Sequence, residues 1–200
     1  MKGLKVQELI SSGVYATVYF FVVFIATFIL RFTVPVFNSL LIPAFSALLS
    51  GVVYLMVVNR VPKFGAITIV GSVMGVFFLI FGYFPLAFLP SFLFPFLADF
   101  VQNKTKIEAK LKLFLSYTIF SFGLTGPILP LWFMKDAYIT SLLNRGKDMT
   151  YVNSVFEPIT TMSFFISMGL TIVLSIIGLI IGQKIYQKHF AKNKQTGSAI

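Results

Sequence analysis

The sequence predicts an all-α integral membrane protein with six transmembrane helices and both termini in the cytoplasm. A helix of ~20 apolar residues crosses a hydrocarbon core of about 30 Å, and six apolar stretches of roughly that length divide the chain. They occupy residues 9–30, 36–58, 64–82, 84–101, 111–134 and 157–182. We therefore treat residues 1–200 as a single membrane domain that ends in a basic cytoplasmic tail over residues 183–200.

The composition excludes an ordinary soluble protein. Of the 200 residues, 58% are hydrophobic and only 11% are charged, and the mean hydropathy is +0.92. These values lie far from those of soluble domains. The connections are mostly short and leave no room for a soluble catalytic domain. The first stretch is too long for a signal-peptide core and lacks an A-x-A-like cleavage site, so we expect it to be retained.

The order of the basic residues predicts the orientation. Lys and Arg number 16, and all but four lie in the terminal segments and in the connections after the second and fourth stretches. The positive-inside rule places these segments in the cytoplasm. The net charge of +10 is explained by loops that face anionic lipid. We expect no nucleic-acid partner, because no basic stripe is interleaved with base-stacking aromatic residues.

The chain offers little for catalysis or metal binding. It contains no Cys, and its one His, His189, lies in the basic tail. The six acidic residues avoid the predicted mid-membrane positions, and Asp99 is expected to cap the fourth helix at its cytoplasmic end. Ion-coupled pumps and intramembrane hydrolases need ionisable groups at bilayer depth. We therefore expect no enzyme activity, no catalytic residue, no metal ligand and no cofactor.

Broken helices predict a ligand site on the external side. Two Gly and two Pro interrupt the fifth stretch between Gly123 and Pro130, and the fourth stretch is rich in Pro. Non-helical backbone at membrane depth is tolerated where it lines a cavity. Aromatic and polar side chains lie nearby, and flat rings with a few hydrogen-bonding groups suit a small heteroaromatic ligand. The candidate substrate-binding residues are Asn38, Tyr83, Phe84, Trp132, Lys135, Asp136, Tyr138, Tyr151, Asn153 and Glu157.

An aromatic belt at the headgroup level is the alternative for any one of these residues. For the cluster as a whole we favour a pocket. The long connection 135–156 would be its lid, since loops of such length are often functional. Within it, residues 136–144 are expected to form a short helix that Gly146 ends.

Three pairs of small residues spaced four apart could bring helices close together. The pairs Gly71/Gly75 and Gly178/Gly182 are expected to pack within this bundle. The pair Ser12/Ala16 lies near the cytoplasm on the first helix, with Gly13 and Thr17 beside it. That face suits another membrane subunit as well as it suits the bundle itself.

Several motifs resemble those of a known family. Residues 126–138 read GPILPLWFMKDAY and resemble the signature of the Trep_Strep (MptD-like) membrane proteins. The segment LKVQEL at residues 4–9, leading into GVYA at 13–16, fits as well, as do KFG at 63–65 and LAD at 97–99. Proteins of this family are similar to the substrate-binding S components of energy-coupling factor (ECF) transporters.

The resemblance implies a six-helix S component in the bacterial plasma membrane. Such a subunit captures a vitamin or precursor from outside, in a pocket roofed by the loops after helices one, three and five. It docks on a transmembrane coupling subunit through small residues of helix one, where Ser12 replaces the usual Ala of the pair with Ala16. Two cytoplasmic ATPase subunits supply energy, which fits a chain without a P-loop. The subunit is thought to topple in the membrane to carry its ligand inward.

The sequence is consistent with two hypotheses of function. In the first, the chain is an importer subunit whose ligand is ring-shaped and mostly neutral, such as hydroxymethylpyrimidine or pyridoxine. In the second, it is a non-transport interaction or assembly protein of a larger membrane complex.

Overall fold

The computed structural model describes residues 4–84 and 86–190, and all regular secondary structure within them is helical. The tail from residue 191, residues 1–3 and Pro85 lie outside the described residues. The helices are α1 (Val6–Thr33), α2 (Asn38–Arg60), α3 (Ala66–Ile80), α4 (Leu89–Lys104), α5 (Ala109–Ser121), α6 (Leu129–Phe133), α7 (Lys135–Asn144), α8 (Met149–Phe156) and α9 (Thr161–His189), with a 3₁₀ turn at Phe122–Thr125.

Among the described residues, three helices are long and apolar enough to cross a membrane: α1, α2 and α9. Helix α3 is apolar but has 15 residues, and α4 and α5 have 16 and 13. Helix α3 is short because Gly65 and Gly82 adopt left-handed backbone angles (φ +105° and +65°) on either side of it. The stretch 111–134, in which the sequence predicts an interruption between Gly123 and Pro130, is divided into α5, the 3₁₀ turn and α6, because Pro127 and Pro130 cannot donate backbone hydrogen bonds.

Helices α2 and α9 form the most extensive helix pair and run in the same direction. Near their N-termini, the Ser167 hydroxyl donates to the Leu40 carbonyl at 2.7 Å. Further along both helices, Gly182 lies against the backbone of α2 at Gly51. Because the contacts advance together along the two helices, α9 is parallel to α2.

The bundle has two chemically different ends. At the basic end, Lys63 forms an ion pair with Glu8 at 2.8 Å, and Lys104 lies over the ring of Phe64. The turn after α2 therefore meets the start of α1 and the end of α4. At the opposite end, which we call the loop end, residues 31–38, 81–84, 86–88 and 122–160 come together around α6, α7 and α8.

Both glycine pairs pack within the bundle, as predicted. A Cβ at Gly178 would overlap the backbone of α2, and one at Gly182 would come within 2.7 Å of the Gly51 carbonyl carbon. A Cβ at Gly71 would overlap Pro95, and one at Gly75 would come within 2.6 Å of the Phe92 ring. Helix α9 therefore packs backbone to backbone on α2, and α3 packs closely on α4.

Several buried hydroxyls of the core form hydrogen bonds between helices. The Tyr54 hydroxyl donates to Ser116 Oγ at 2.8 Å, and Ser116 Oγ lies 2.8 Å from the Gln102 side-chain oxygen. The Tyr117 hydroxyl donates to the carbonyl of Ala47. In an apolar surrounding an unpaired hydroxyl is costly, so this network stabilises one arrangement of α2, α4 and α5.

The expectation that Asp99 caps its own helix was wrong. Asp99 is fully buried inside α4, and its Oδ2 accepts hydrogen bonds from the backbone N–H of Gly65 (2.8 Å), the backbone N–H of Thr68 (3.0 Å) and the Thr68 hydroxyl (2.9 Å). Its Oδ1 accepts from Asn103 Nδ2 at 2.7 Å. Asp99 thus caps the N-terminus of α3, because the residue at the N-cap position there is Gly65, which has no side chain.

Candidate functional site

A cavity of about 380 Å³ lies at the loop end of the bundle. It is enclosed by α1, α2 and α3 on one side, and by residues 124–131, α7 and α8 on the other. Its volume falls within the range of about 300–1,000 Å³ that is usual for small-molecule sites. The lining residues are Phe20, Val23, Phe24, Thr27, Ser39, Ile42, Met74, Phe77, Phe78, Tyr83, Leu124, Pro127, Ile128, Leu131, Tyr138, Tyr151 and Val155.

Aromatic rings form much of the cavity wall. Phe20 of α1 meets Phe77 of α3 edge to face, with ring centroids 5.2 Å apart. Phe78 packs on Tyr83 at 4.9 Å. Tyr138 is backed by the buried ring of Phe84 at 5.5 Å. A site walled by rings from several separate segments suits a flat ligand that can stack or meet them edge-on.

Three tyrosines bring free hydroxyls to this wall. Tyr83, Tyr138 and Tyr151 line the cavity, and their hydroxyls form no hydrogen bond with another described residue, in contrast to the engaged hydroxyls of Tyr54 and Tyr117. Burial raises the pKa of Tyr83 and that of Tyr138 above the usual value near 10. The phenols of Tyr83 and Tyr138 are therefore neutral at physiological pH and can both donate and accept hydrogen bonds.

The structure thus brings three of the ten predicted substrate residues to the main cavity. Two others, Asn38 and Glu157, line a neighbouring pocket of about 390 Å³ between the start of α2 and the end of α8. Tyr151 lines both spaces. The neighbouring pocket is the more polar of the two in its residues, since it adds an amide and a carboxylate.

Three further predicted residues hold the wall in place and are not among the described residues that line it. The Trp132 indole donates to the Thr160 carbonyl at 3.0 Å, at the start of α9. Phe84 packs behind Tyr138, and the Lys135 ammonium lies 5.3 Å from the ring centroid of Phe156. Each of the three side chains thus has a neighbour within the protein, and their contact with a ligand stays a prediction.

Asp136 and Asn153 are exposed and do not line the cavity either. Asp136 lies in the first turn of α7, where a carboxylate suits the positive end of the helix dipole. The short helix α7 itself was predicted correctly, including its end before Gly146, which has φ +75°. The second half of the long connection forms α8, which Asp148 caps by accepting from the Tyr151 backbone N–H at 2.8 Å.

Sequence reasoning missed the residues that α1, α2 and α3 contribute. Phe20, Phe24 and Thr27 lie on one face of α1 at spacings of three and four residues, and Phe77 and Phe78 lie near the end of α3. Their helices are apolar on every side, so nothing in the composition separates a cavity wall from a lipid-facing surface. The spacing of Phe20, Phe24 and Thr27 along one face of α1 was the sequence pattern that could have indicated a cavity wall.

The predicted docking residues divide between two faces of α1. Ser12 and Ala16 are buried in the bundle, and the Ser12 hydroxyl donates to the Glu8 carbonyl at 2.9 Å. They therefore face the bundle, which is one of the two alternatives that the sequence left open for this pair. Gly13 and Thr17 are exposed, and a Cβ at Gly13 would meet nothing within 4 Å. The division follows from the helical repeat, because neighbouring residues point about 100° apart.

Within the described residues, no three His, Asp or Glu side chains are grouped so that they could hold a metal ion. The described lining of the cavity offers aromatic rings for stacking and neutral hydroxyls for hydrogen bonds. At the basic end, a pocket of about 300 Å³ has no aromatic residue in its described lining, which includes Gln102, Asn103 and Lys112.

Comparison with known proteins places the chain in a family. A family model described as "Hypothetical bacterial integral membrane protein (Trep_Strep)" matches residues 6–192. No curated protein and no solved structure matches the chain. The match agrees with the three long apolar helices and supports a location in the membrane. The chain belongs to the Trep_Strep family of bacterial integral membrane proteins.

Proposed function

We propose that this protein is the substrate-binding S component of an ECF-type importer, capturing a vitamin or vitamin precursor from outside the cell. The observation that carries the proposal is the cavity at the loop end, with its aromatic wall and its three free tyrosine hydroxyls. Hydroxymethylpyrimidine and pyridoxine are the first ligands to test, because each combines a flat ring with a few hydrogen-bonding groups. The chain itself is proposed to have no enzyme activity.

The proposed topology has six membrane crossings in the bacterial plasma membrane, with both termini in the cytoplasm. Two observations support it. Helices α2 and α9 are parallel, as the second and sixth crossings of such a bundle must be. The basic end carries most of the lysines and arginines, and it would face the cytosol. The shorter helices α3, α4 and α5 would cross together with the turns that flank them.

The proposed partners are a transmembrane coupling subunit and two cytoplasmic ATPase subunits. They rest on the resemblance to S components, together with an exposed pair of small residues near the basic end of α1. That pair is Gly13 and Thr17, which lie one turn apart on the outward face. Small residues on an exposed face let a partner helix approach closely in lipid.

The ligand part of the proposal is tested with the purified chain in detergent. Small molecules released on denaturation are identified by mass spectrometry, and isothermal titration is run with a panel of vitamins and precursors. We expect a ring compound to be released or bound at micromolar concentration or below, about 8 kcal/mol of binding free energy. A panel without any binding ligand, together with an empty extract, contradicts the capture of a vitamin.

The docking part is tested by co-purification from the native membrane. Gly13→Leu should reduce recovery of the coupling subunit and the ATPases by at least about tenfold, because the new side chain separates the two backbones. Gly169→Leu is the matched control, since a Cβ at Gly169 on α9 also meets nothing within 4 Å. Equal recovery with both variants would show that α1 does not dock through this face. Stable partners without ATPase subunits would instead favour an assembly protein.

A further inference from the structure

The loop-end cavity differs from its surroundings in its charge. None of its described lining residues is Lys, Arg, His, Asp or Glu. Seven of them are aromatic, and the lining residues with polar side chains are three tyrosines, Ser39 and Thr27. An ion that enters such a space loses its water without gaining an opposite charge, which is unfavourable.

The charged residues of the loop end are not among the described lining residues of the cavity. The Lys147 ammonium lies 4.8 Å from the ring centroid of Tyr151, and that of Lys135 lies over Phe156. The Asp148 carboxylate is engaged as the cap of α8. Glu157 lines the neighbouring pocket and is not among the described lining residues of the cavity. The rim therefore holds ions of both signs, while the described wall of the cavity holds none.

The polar groups that do reach the cavity are neutral. The Thr27 hydroxyl donates to the Val23 carbonyl at 2.8 Å, which leaves its oxygen free to accept. The hydroxyls of Tyr83, Tyr138 and Tyr151 have no partner among the described residues, so they can serve a ring nitrogen, an amine or a hydroxyl of a ligand. This set matches uncharged substituents and offers no bidentate partner to a phosphate or carboxylate.

We propose that this cavity selects ring compounds that carry no net charge and rejects the phosphorylated or carboxylated derivatives of the same ring. The inference rests on the proposed function for the role of the ligand as imported cargo. It goes further by naming the charge class of that cargo. The importer would then take up the free alcohol or base and leave its phosphate outside.

The test compares each ring with its own charged derivative. Isothermal titration of the full chain in detergent is run with hydroxymethylpyrimidine, with pyridoxine and with the monophosphate of each. The uncharged member of a pair should bind at least about tenfold more tightly, a difference of about 1.4 kcal/mol. A monophosphate that binds as tightly as its parent overturns the inference.

A variant then asks whether the cavity wall itself sets this preference. Ser39 is exposed and lines the cavity, so Ser39→Lys places a cation at the wall with little risk to folding. It should tighten monophosphate binding by roughly fivefold or more, as expected for a charge-assisted contact. Thr33→Lys adds the same charge at the loop end but away from the lining, and it should leave the ratio unchanged. An equal effect of both variants contradicts selection by the cavity.

The outcomes separate this inference from the proposed function. If a monophosphate binds as tightly as its parent to a chain that is recovered with its coupling subunit and ATPases, the charge selectivity is wrong and the importer proposal stands. If the chain binds a neutral ring but is recovered without those partners, the importer proposal is wrong and the charge selectivity stands. If none of the four compounds binds, the charge of the small molecule released on denaturation tests the inference instead. An ionic molecule, or none at all, overturns the inference.

Discussion

At the scale of single residues, a polar side chain that is hydrogen-bonded within the bundle has a structural role, whereas one without a partner at the cavity is available to bind a ligand. Tyr54, Tyr117 and Asp99 are fully engaged inside the bundle, whereas Tyr83 and Tyr138 have no partner among the described residues. Tyrosine thus stabilises the packing of the core and is available for ligand binding at the loop end. The sequence does not distinguish the two, because the partners lie on other helices.

Asp99 leads to a prediction of stability. Asp99→Ala removes the acceptor of two backbone N–H groups and one hydroxyl, and leaves the start of α3 without a cap. We expect unfolding in detergent to become easier by about 1–3 kcal/mol, which is the usual cost of orphaned buried donors. Thermal unfolding of the purified chain measures this as a lower Tm.

Asp136→Ala is the control for this variant. Asp136 is exposed in the first turn of α7, so its removal should change stability by no more than about 0.5 kcal/mol. If the two alanine variants melt at the same temperature, Asp99 does not hold the start of α3.

At the scale of helices, close backbone contact between α2 and α9 supports the cavity. Gly51, Gly178 and Gly182 lie where the two backbones meet. At the loop end, the same two helices are joined by Ser167 and Leu40, next to the wall that Leu131 and Ile128 complete. The parallel pair thus forms a frame on which the shorter helices of the loop end rest.

A pair of glycine substitutions on α9 tests this packing. Gly178→Ala should destabilise the chain by about 1–3 kcal/mol, because the added Cβ overlaps the backbone of α2. Gly169→Ala should leave stability unchanged or raise it by up to about 1 kcal/mol, because it meets no atom within 4 Å and Ala favours a helix. Thermal unfolding of both variants provides the comparison, and equal melting would argue against backbone contact at Gly178.

At the scale of the whole molecule, the separation of charge between the two ends determines the proposed orientation. The basic end carries Lys63, Lys104 and Lys112, and the loop end carries the cavity. If the loop end faced the cytosol, the aromatic cavity could not receive a ligand from outside. The proposed function therefore requires the proposed orientation.

The absence of cysteine in the sequence makes orientation easy to measure. Lys147→Cys and Lys106→Cys each introduce one thiol at an exposed position, at the loop end and at the basic end. A membrane-impermeant maleimide should label the first variant in intact cells, and the second only after permeabilisation, with at least about tenfold contrast, because a charged reagent does not cross the hydrocarbon core. Reversed labelling would overturn the proposed topology.

Much of the architecture follows from the order of residues along the chain. The apolar stretches and the low charge predicted a helical membrane protein, the glycine pairs predicted close packing, and Gly146 marked the end of α7. Each of these depends on composition or on short spacing, which local physical chemistry determines. The tyrosines of the loop end were also found in this way.

Other features were decided only when the helices came together. Contacts between segments far apart in the chain determine which face of α1 is buried and which helix Asp99 caps. They also determine which aromatic rings enclose the cavity. A helix that is apolar on every side gives no sign of which face meets protein and which meets lipid. Local sequence therefore sufficed for the class of protein and its charge asymmetry, whereas the walls of the site required the packed bundle.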